Sequence, residues 1–158
     1  MEKAIEVAAK AHGRKPKRDK GGAPYILHPL RVMMAVETPV QRIVAVLHDV
    51  LEDTPVTADD LRDDGFSETA IAAVDALTKR KGESRITAAR RALQNPIARA
   101  VKLGDLNDNM DLRRIARPTK KDFKRHREYA RVRRLLEGRR RAELKSVNAS
   151  AARRRKKV

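Results

Sequence analysis

The sequence predicts an all-α fold, a compact bundle of helices, and three observations carry that reading. Apolar residues recur at the 3.6-residue spacing of a helix face along most of the chain. Aromatic residues make up only 3% and tryptophan is absent, so the core must be built from Ala, Val, Leu and Ile, which suits close-packed helices better than a β-sandwich. Helix-start residues also stand ahead of several of the periodic runs. In chain order the pattern places helices over 2–12, 29–37, 39–52, 57–63, 67–78, 84–94, 96–113 and 119–145. The first is amphipathic and follows Met1-Glu2-Lys3 directly, and Gly21-Gly22 then marks a loop between Lys20 and Pro24. The second begins after His28, whose position before Pro29 favours an extended backbone, and the third begins at Pro39, because proline suits the first turn of a helix. From Ile43 to Leu51 that third helix is apolar on nearly every side and is read as buried, with a turn at Thr54-Pro55 beyond it. Thr57 with Asp60, and Thr119 with Asp122, resemble N-caps followed by a first-turn acid, and Pro96 offers another start. The runs at 67–78 and 84–94 rest on periodicity alone.

At 158 residues the chain is read as one domain, long enough for a single buried core. It has no cysteine, hence no disulfide and no thiolate metal ligand, which fits a reducing cytoplasm. No signal peptide and no apolar run of membrane-spanning length is present, so a soluble, cytoplasmic protein without membrane contact is expected. The net charge is +17, with most of the excess after Asp111, ending in Arg153-Arg154-Arg155-Lys156-Lys157. From about Lys145 the chain is rich in Ser, Ala and basic residues and is expected to lack fixed structure. Such charge suits contact with nucleic acid or ribosome, or steering of a charged nucleotide, and equally suits a solvated tail with no dedicated partner.

The chemistry is concentrated in Leu47-His48-Asp49-Val50-Leu51-Glu52-Asp53, where an imidazole and three carboxylates sit in an apolar run. Ionised carboxylates removed from water cost several kcal/mol each unless a cation answers them, and a metal ion is the simplest answer. On a continuous helix His48 stacks under Glu52 and Asp49 under Asp53, which would separate metal holding from proton handling. Two ligands do not complete a site. His28, held in Pro24-Tyr25-Ile26-Leu27-His28-Pro29, and Asp105, sharing a helix face with Asn109, are the candidate complement. Two nitrogens and two carboxylates suit Mn, Fe(II) or Zn, with positions left for water and substrate. Asp108 and Asp111 are read as solvated, and His12 and His126 as ordinary.

These motifs resemble the hydrolase half of the RelA/SpoT group within the HD-domain phosphohydrolases, most closely its small stand-alone members of the metazoan SpoT-homologue kind. The similarity runs from about Ala8 to Leu112 and is carried by Ala11-His12, the Pro24–Pro29 string, the HDxxED string with Thr54, Gly65-Phe66, Thr78-Lys79, and Val101-Lys102-Leu103-Gly104-Asp105 with Asn109. The resemblance implies an HD-type domain over 1–145 followed by a basic tail over 146–158. It implies one Mn²⁺ on His28, His48, Asp49 and Asp105, with Glu52 and Asp53 activating or orienting the attacking water. The implied reaction removes pyrophosphate from the 3′ position of guanosine tetra- or pentaphosphate. A basic pair at the nucleotide base falls on Lys17 and Arg18 in one loop register and on Lys20 in the other, with Tyr25 beside that pocket and Asn109 near ribose or phosphate. Three departures stand out: the family's Arg-Lys is met here by Lys17-Arg18 or Asp19-Lys20, a frequent hydroxyl is replaced by Leu112, and the stretch from Arg80 to Pro96 is short, which points to a reduced pocket wall. Two other readings compete: an HD phosphohydrolase for another nucleotide or phosphoester, and a nucleic-acid-binding protein with a non-catalytic metal site.

Overall fold

A computed structural model describes residues 1–13 and 18–155, with side chains through Gly138 apart from 14–17. The helices are α1 (Glu2–Gly13), α2 (Leu27–Met34), α3 (Pro39–Leu47), α4 (Val50–Asp53), α5 (Ala58–Asp63), α6 (Glu68–Leu77), α7 (Arg85–Ala92), α8 (Pro96–Met110) and α9 (Lys120–Arg155), with a 3-10 turn at Leu112–Arg114. Among the described residues there is no β-strand, only an isolated antiparallel bridge between Arg18 and Pro24. No described helix is long and apolar enough to cross a membrane.

Each start has a local cause. Thr38 and Thr57 form reciprocal capping boxes with Gln41 and Asp60, and Ser67, Ser84 and Asn95 accept from first-turn N–H groups of α6, α7 and α8. At α9, the Asp122 carboxylate accepts from the Thr119 N–H at 2.9 Å while the Asp122 N–H donates to the Thr119 hydroxyl.

α3 lies at the centre. Val44, Ala45, Val46 and Leu47 are buried on successive positions, enclosed by α1, α2, α6 and α8. α1 packs through Ala4, Ala8 and Ala11, spaced i, i+4, i+7, so small side chains let two backbones approach. A second cluster forms where α7, α8 and α9 meet, around Ala89, Leu106, Val132 and Leu136. Burying a side chain such as Leu136 stabilises the fold by roughly 1.5–3 kcal/mol.

Three expectations need correcting. α2 begins at Leu27, so His28 and Pro29 both lie within its first turn and His28 is not in an extended approach; the N–H that proline lacks is one that a first turn leaves unpaired in any case. The helix expected over 39–52 is broken at His48-Asp49 into α3 and α4. In an unbroken helix the Ala45 carbonyl would accept from the Asp49 N–H; here it accepts from His48 Nδ1 at 2.7 Å, and Asp49 adopts φ −102°, ψ −3°. The last helix continues to Arg155, past the expected end at 145, along a segment rich in the helix-forming residues Ala and Arg.

Candidate metal centre

The break in α3 brings the site together. His28 comes from the first turn of α2, His48 and Asp49 from the α3–α4 junction, and Asp105 from the middle of α8. His28 Nε2 lies 3.3 Å from Asp105 Oδ1 and 3.8 Å from Asp49 Oδ2, and His48 Nε2 lies 3.1 Å from Asp49 Oδ2 and 3.8 Å from Asp105 Oδ1. Ligand atoms of His28, His48 and Asp49 all fall within 4.8 Å of one another. His28, His48 and Asp105 are buried.

The fit to a cation can be tested on the nitrogens. Both imidazoles have their Nδ1 occupied, His28 by Asp108 Oδ2 at 2.6 Å and His48 by the Ala45 carbonyl, so both present Nε2 to the same point. His48 Nε2 is buried with no hydrogen-bond partner, an arrangement that costs free energy unless a Lewis acid accepts the lone pair. Burial alone would lower the His28 pKa; hydrogen bonds and charges from Asp105, Asp108 and Asp49 outweigh it and raise it to about 9. His48 follows the same balance, with Asp49 the main opposing charge. Burial likewise pushes the carboxyls of Asp49 and Asp105 up, but the neighbouring imidazoles, and Lys102 for Asp105, hold both well below the usual carboxylate range. The pocket thus has a negative field that invites a cation, and its N₂O₂ donor set fits a divalent transition ion.

A cavity of about 330 Å³ opens beside this point. Glu52 and Asp53 are exposed on α4 and line it, and Glu52 accepts the Lys79 N–H at 2.9 Å. Tyr25 donates its hydroxyl to Asp49, the oxygen that also faces both imidazoles, and lies 3.4 Å from Asp53, so it faces the metal point as well as the cavity. Burial and the Asp49 charge push its phenol pKa far up, so it stays a donor. Asn109 donates to Asp105 within α8. Arg18 and Lys20 line the cavity, while Lys17 lies outside the described residues. Lys20 sits 4.7 Å over the Tyr129 ring, its pKa lowered by burial and by Arg125.

Several residues here carried no signal in the sequence. Asp108, read as solvated, has a side chain only 9% exposed, clamped by His28, Arg31 and Arg114; the partners are remote in sequence, and the only available hint was its i+3 spacing from Asp105. Lys102, within the quoted motif but given no role, pairs with Asp105 at 2.8 Å. Arg85, Arg125 and Tyr129 reach the cavity from α7 and α9. The short stretch from Arg80 to Pro96 therefore still contributes a wall. His12, read as ordinary, is buried with its ring 4.8 Å from that of Tyr25.

Fold and site together define the class, an all-helical HD-type domain with a candidate metal centre. No family model matches the chain. Its relatives are more specific: it is 31% identical over 135 residues to the human guanosine-3′,5′-bis(diphosphate) 3′-pyrophosphohydrolase MESH1, covering 78% of this chain and 74% of that protein. It is 36% identical over 83 residues to the pyrophosphohydrolase of that name from Aquifex aeolicus, covering 50% of this chain and 12% of the relative. A GTP pyrophosphokinase of Streptomyces coelicolor is 33% identical over 137 residues, 78% of this chain and 16% of that one, so the chain spans only a small part of these longer bacterial proteins. The fold matches a solved metazoan orthologue of SpoT, described as hydrolysing ppGpp, with a TM-score of 0.67 and 22% identity, over 84% of this chain and 82% of that one. The chain belongs to the RelA/SpoT hydrolase family.

Proposed function

We propose that this protein removes the 3′-pyrophosphate of guanosine tetra- or pentaphosphate (ppGpp, pppGpp) in the cytoplasm, with one Mn²⁺ held by His28, His48, Asp49 and Asp105. The observation that carries the proposal is the buried Nε2 of His48 facing two carboxylates, with Glu52 and Asp53 lining the cavity next to it. What a divalent ion supplies there is Lewis acidity. The chain's own groups do the rest. A carboxylate oxygen of Glu52 or Asp53 takes the proton of the attacking water as its oxygen bonds to the 3′ phosphorus, and the bond from that phosphorus to the ribose 3′ oxygen breaks. The proton passes to the ribose oxygen, releasing pyrophosphate and a nucleoside 5′-diphosphate from the tetraphosphate or 5′-triphosphate from the pentaphosphate. Lys79, Arg85 and Lys102 supply positive charge toward the leaving pyrophosphate, Arg18 and Lys20 toward the base or 5′-phosphates, and Asn109 an amide near the ribose.

Replacing Glu52→Gln together with Asp53→Asn abolishes turnover while Mn²⁺ binding persists; retained activity removes the proton-handling assignment. A substrate panel with Mn²⁺ separates this reading from another phosphoester hydrolase, because inorganic pyrophosphate is released only from a substrate that carries it.

The proposal also includes a contact with nucleic acid or ribosome; the basic tail over 146–158 expected to make it has its side chains outside the described residues, and α9 ahead of it carries a described basic stripe. Lys120, Lys124, Arg127, Arg131 and Arg134 fall at i, i+4, i+7, i+11 and i+14 of α9 and are all exposed. The acids of this stretch are engaged off the stripe: Asp122 by Thr119, Glu128 by Arg85 at 2.9 Å and Glu137 by Arg133 at 2.8 Å. Val132 and Leu136 face the core, which leaves this part of the helix without the apolar face that a membrane surface requires and favours a phosphate backbone.

A further inference from the structure

The loop that carries Arg18 and Lys20 is tied to the metal-facing histidine by a chain of charges in which Asp19 is the first link. Asp19 has a side chain only 5% exposed. Its Oδ1 accepts the N–H groups of Gly21 at 2.9 Å and Ala23 at 3.0 Å, and its N–H and C=O pair with Ala23 and Gly22, so it defines the turn. Its Oδ2 accepts from Arg31 at 2.6 Å and from Arg114 at 3.1 Å. Both guanidiniums also hold Asp108: Arg31 Nε at 2.6 Å and Arg114 at 3.0 Å. Asp108 in turn accepts from His28 Nδ1 at 2.6 Å. Backbone contact reinforces the link, because a Cβ on Gly21 would lie 2.8 Å from the Arg114 carbonyl, so only glycine lets the turn press against the 3-10 turn there.

We infer that Asp19 is a positioning residue that makes the seating of the nucleotide-facing loop and the affinity of His28 for a divalent cation one coupled property. Two guanidiniums face two carboxylates, and the charges balance. Loss of the Asp19 charge leaves both cations to Asp108 alone, which makes Asp108 a poorer acceptor for His28 and leaves the ring less basic and less firmly oriented at Nε2. The coupling is reciprocal, so a divalent ion on His28 also steadies the loop that presents Arg18 and Lys20 to a nucleotide. Asp19 lines the cavity between Arg18 and Lys20 but commits its carboxylate to Arg31 and Arg114 within this network.

The inference rests on the proposed divalent site at His28, and its test reads metal binding rather than turnover. Mn²⁺ dissociation constants are measured calorimetrically for the full chain, Asp19→Asn, Asp108→Asn and the double variant, with the unfolding midpoint of each metal-free protein recorded alongside. Asp108→Asn weakens Mn²⁺ by about 10–100-fold, the range for removing the carboxylate partner of a metal-bound histidine. Asp19→Asn, which keeps the turn's acceptor, weakens it by at least about 5-fold, and the double variant falls short of the product of the two single effects. Arg31→Lys keeps the charge but removes the fork that bridges both carboxylates, so it reproduces the Asp19→Asn loss and serves if that variant does not fold. A merely structural Asp19 would lower the unfolding midpoint and leave the Mn²⁺ constant of the folded protein alone; that result, or strictly multiplicative effects, overturns the coupling. Failure of the unmodified protein to bind Mn²⁺ overturns the metal site itself and the coupling with it, and is distinguishable because no variant is involved.

Discussion

In the proposed site four side chains would hold the cation, and the protonation of His28 makes that measurable. With no metal bound, the folded protein holds the His28 pKa at about 9 against an ordinary value of 6.5. The folded state therefore binds a proton that the unfolded chain has released, and the stability this contributes is complete below about pH 6.5 and lost as pH rises through about 9. Metal needs the neutral ring, so the same proton competes with it. Mn²⁺ affinity is expected to climb between about pH 6.5 and 9 while the denaturant midpoint of chelator-treated protein declines over the same interval; flat profiles for both would contradict the geometry at His28. At this scale the sequence was informative about groups whose cost is local. His48, Asp49 and Asp105 interrupt apolar runs, and an interrupted run is visible without knowing what lies opposite. Asp108 and Lys102 were not assigned because their meaning comes from Arg31, His28 and Asp105 across the fold, and a half-polar helix face reads the same whether water or a guanidinium covers it.

Among the elements, hydrophobic period and start signals placed six of the eight expected helices within three residues of their observed bounds, and the start of the last as well, since capping chemistry at Thr57 and Thr119 is written in adjacent residues. The break at His48-Asp49 was not legible. It depends on the His48 ring taking the Ala45 carbonyl, a choice that both helix propensity and apolar period are blind to. Its consequence is functional, because the break turns Asp49 toward the imidazoles instead of stacking it one turn below Asp53. α9 shows how an element far from the motif serves the site: Val132 and Leu136 fix it against α7 and α8, and the same helix then carries Arg125 and Tyr129 to the cavity wall. Leu136→Ala removes a side chain with no exposed surface and is expected to cost about 2–5 kcal/mol of stability. Substrate KM should rise in the variant while its Mn²⁺ constant stays near that of the parent, because the four proposed ligands come from α2, the α3–α4 junction and α8. Denaturant titration and steady-state kinetics check both; an unchanged KM would mean that the α9 wall does not meet substrate.

For the whole molecule, 38 basic residues against 21 acidic ones leave a charge of +17, to which the proposed function assigns two separable uses. Around the cavity, cations converge on a place where polyphosphate would sit, and their effect is confined by the walls. Along α9 the stripe from Lys120 to Arg134 faces outward, and among the described residues none of its five cations has an ion-pair partner. Successive stripe positions are three or four residues apart, about 4.5–6 Å along the axis, a spacing that sets cations against a row of backbone phosphates rather than one anion. The aromatic content of 3% argues against stacking on splayed bases, so the proposed contact is expected to be with a duplex, through its phosphates. Binding of duplex RNA should therefore weaken steeply as salt rises. Replacing all five cations with glutamine should flatten the log–log dependence by up to about 4.5, near 0.9 for each phosphate no longer neutralised, with duplex DNA as the parallel arm that reports whether the backbone type matters. Pyrophosphate release by the same variant should match the parent, because none of the five lines the cavity. A salt slope that survives the replacement would move nucleic-acid binding away from this face of α9.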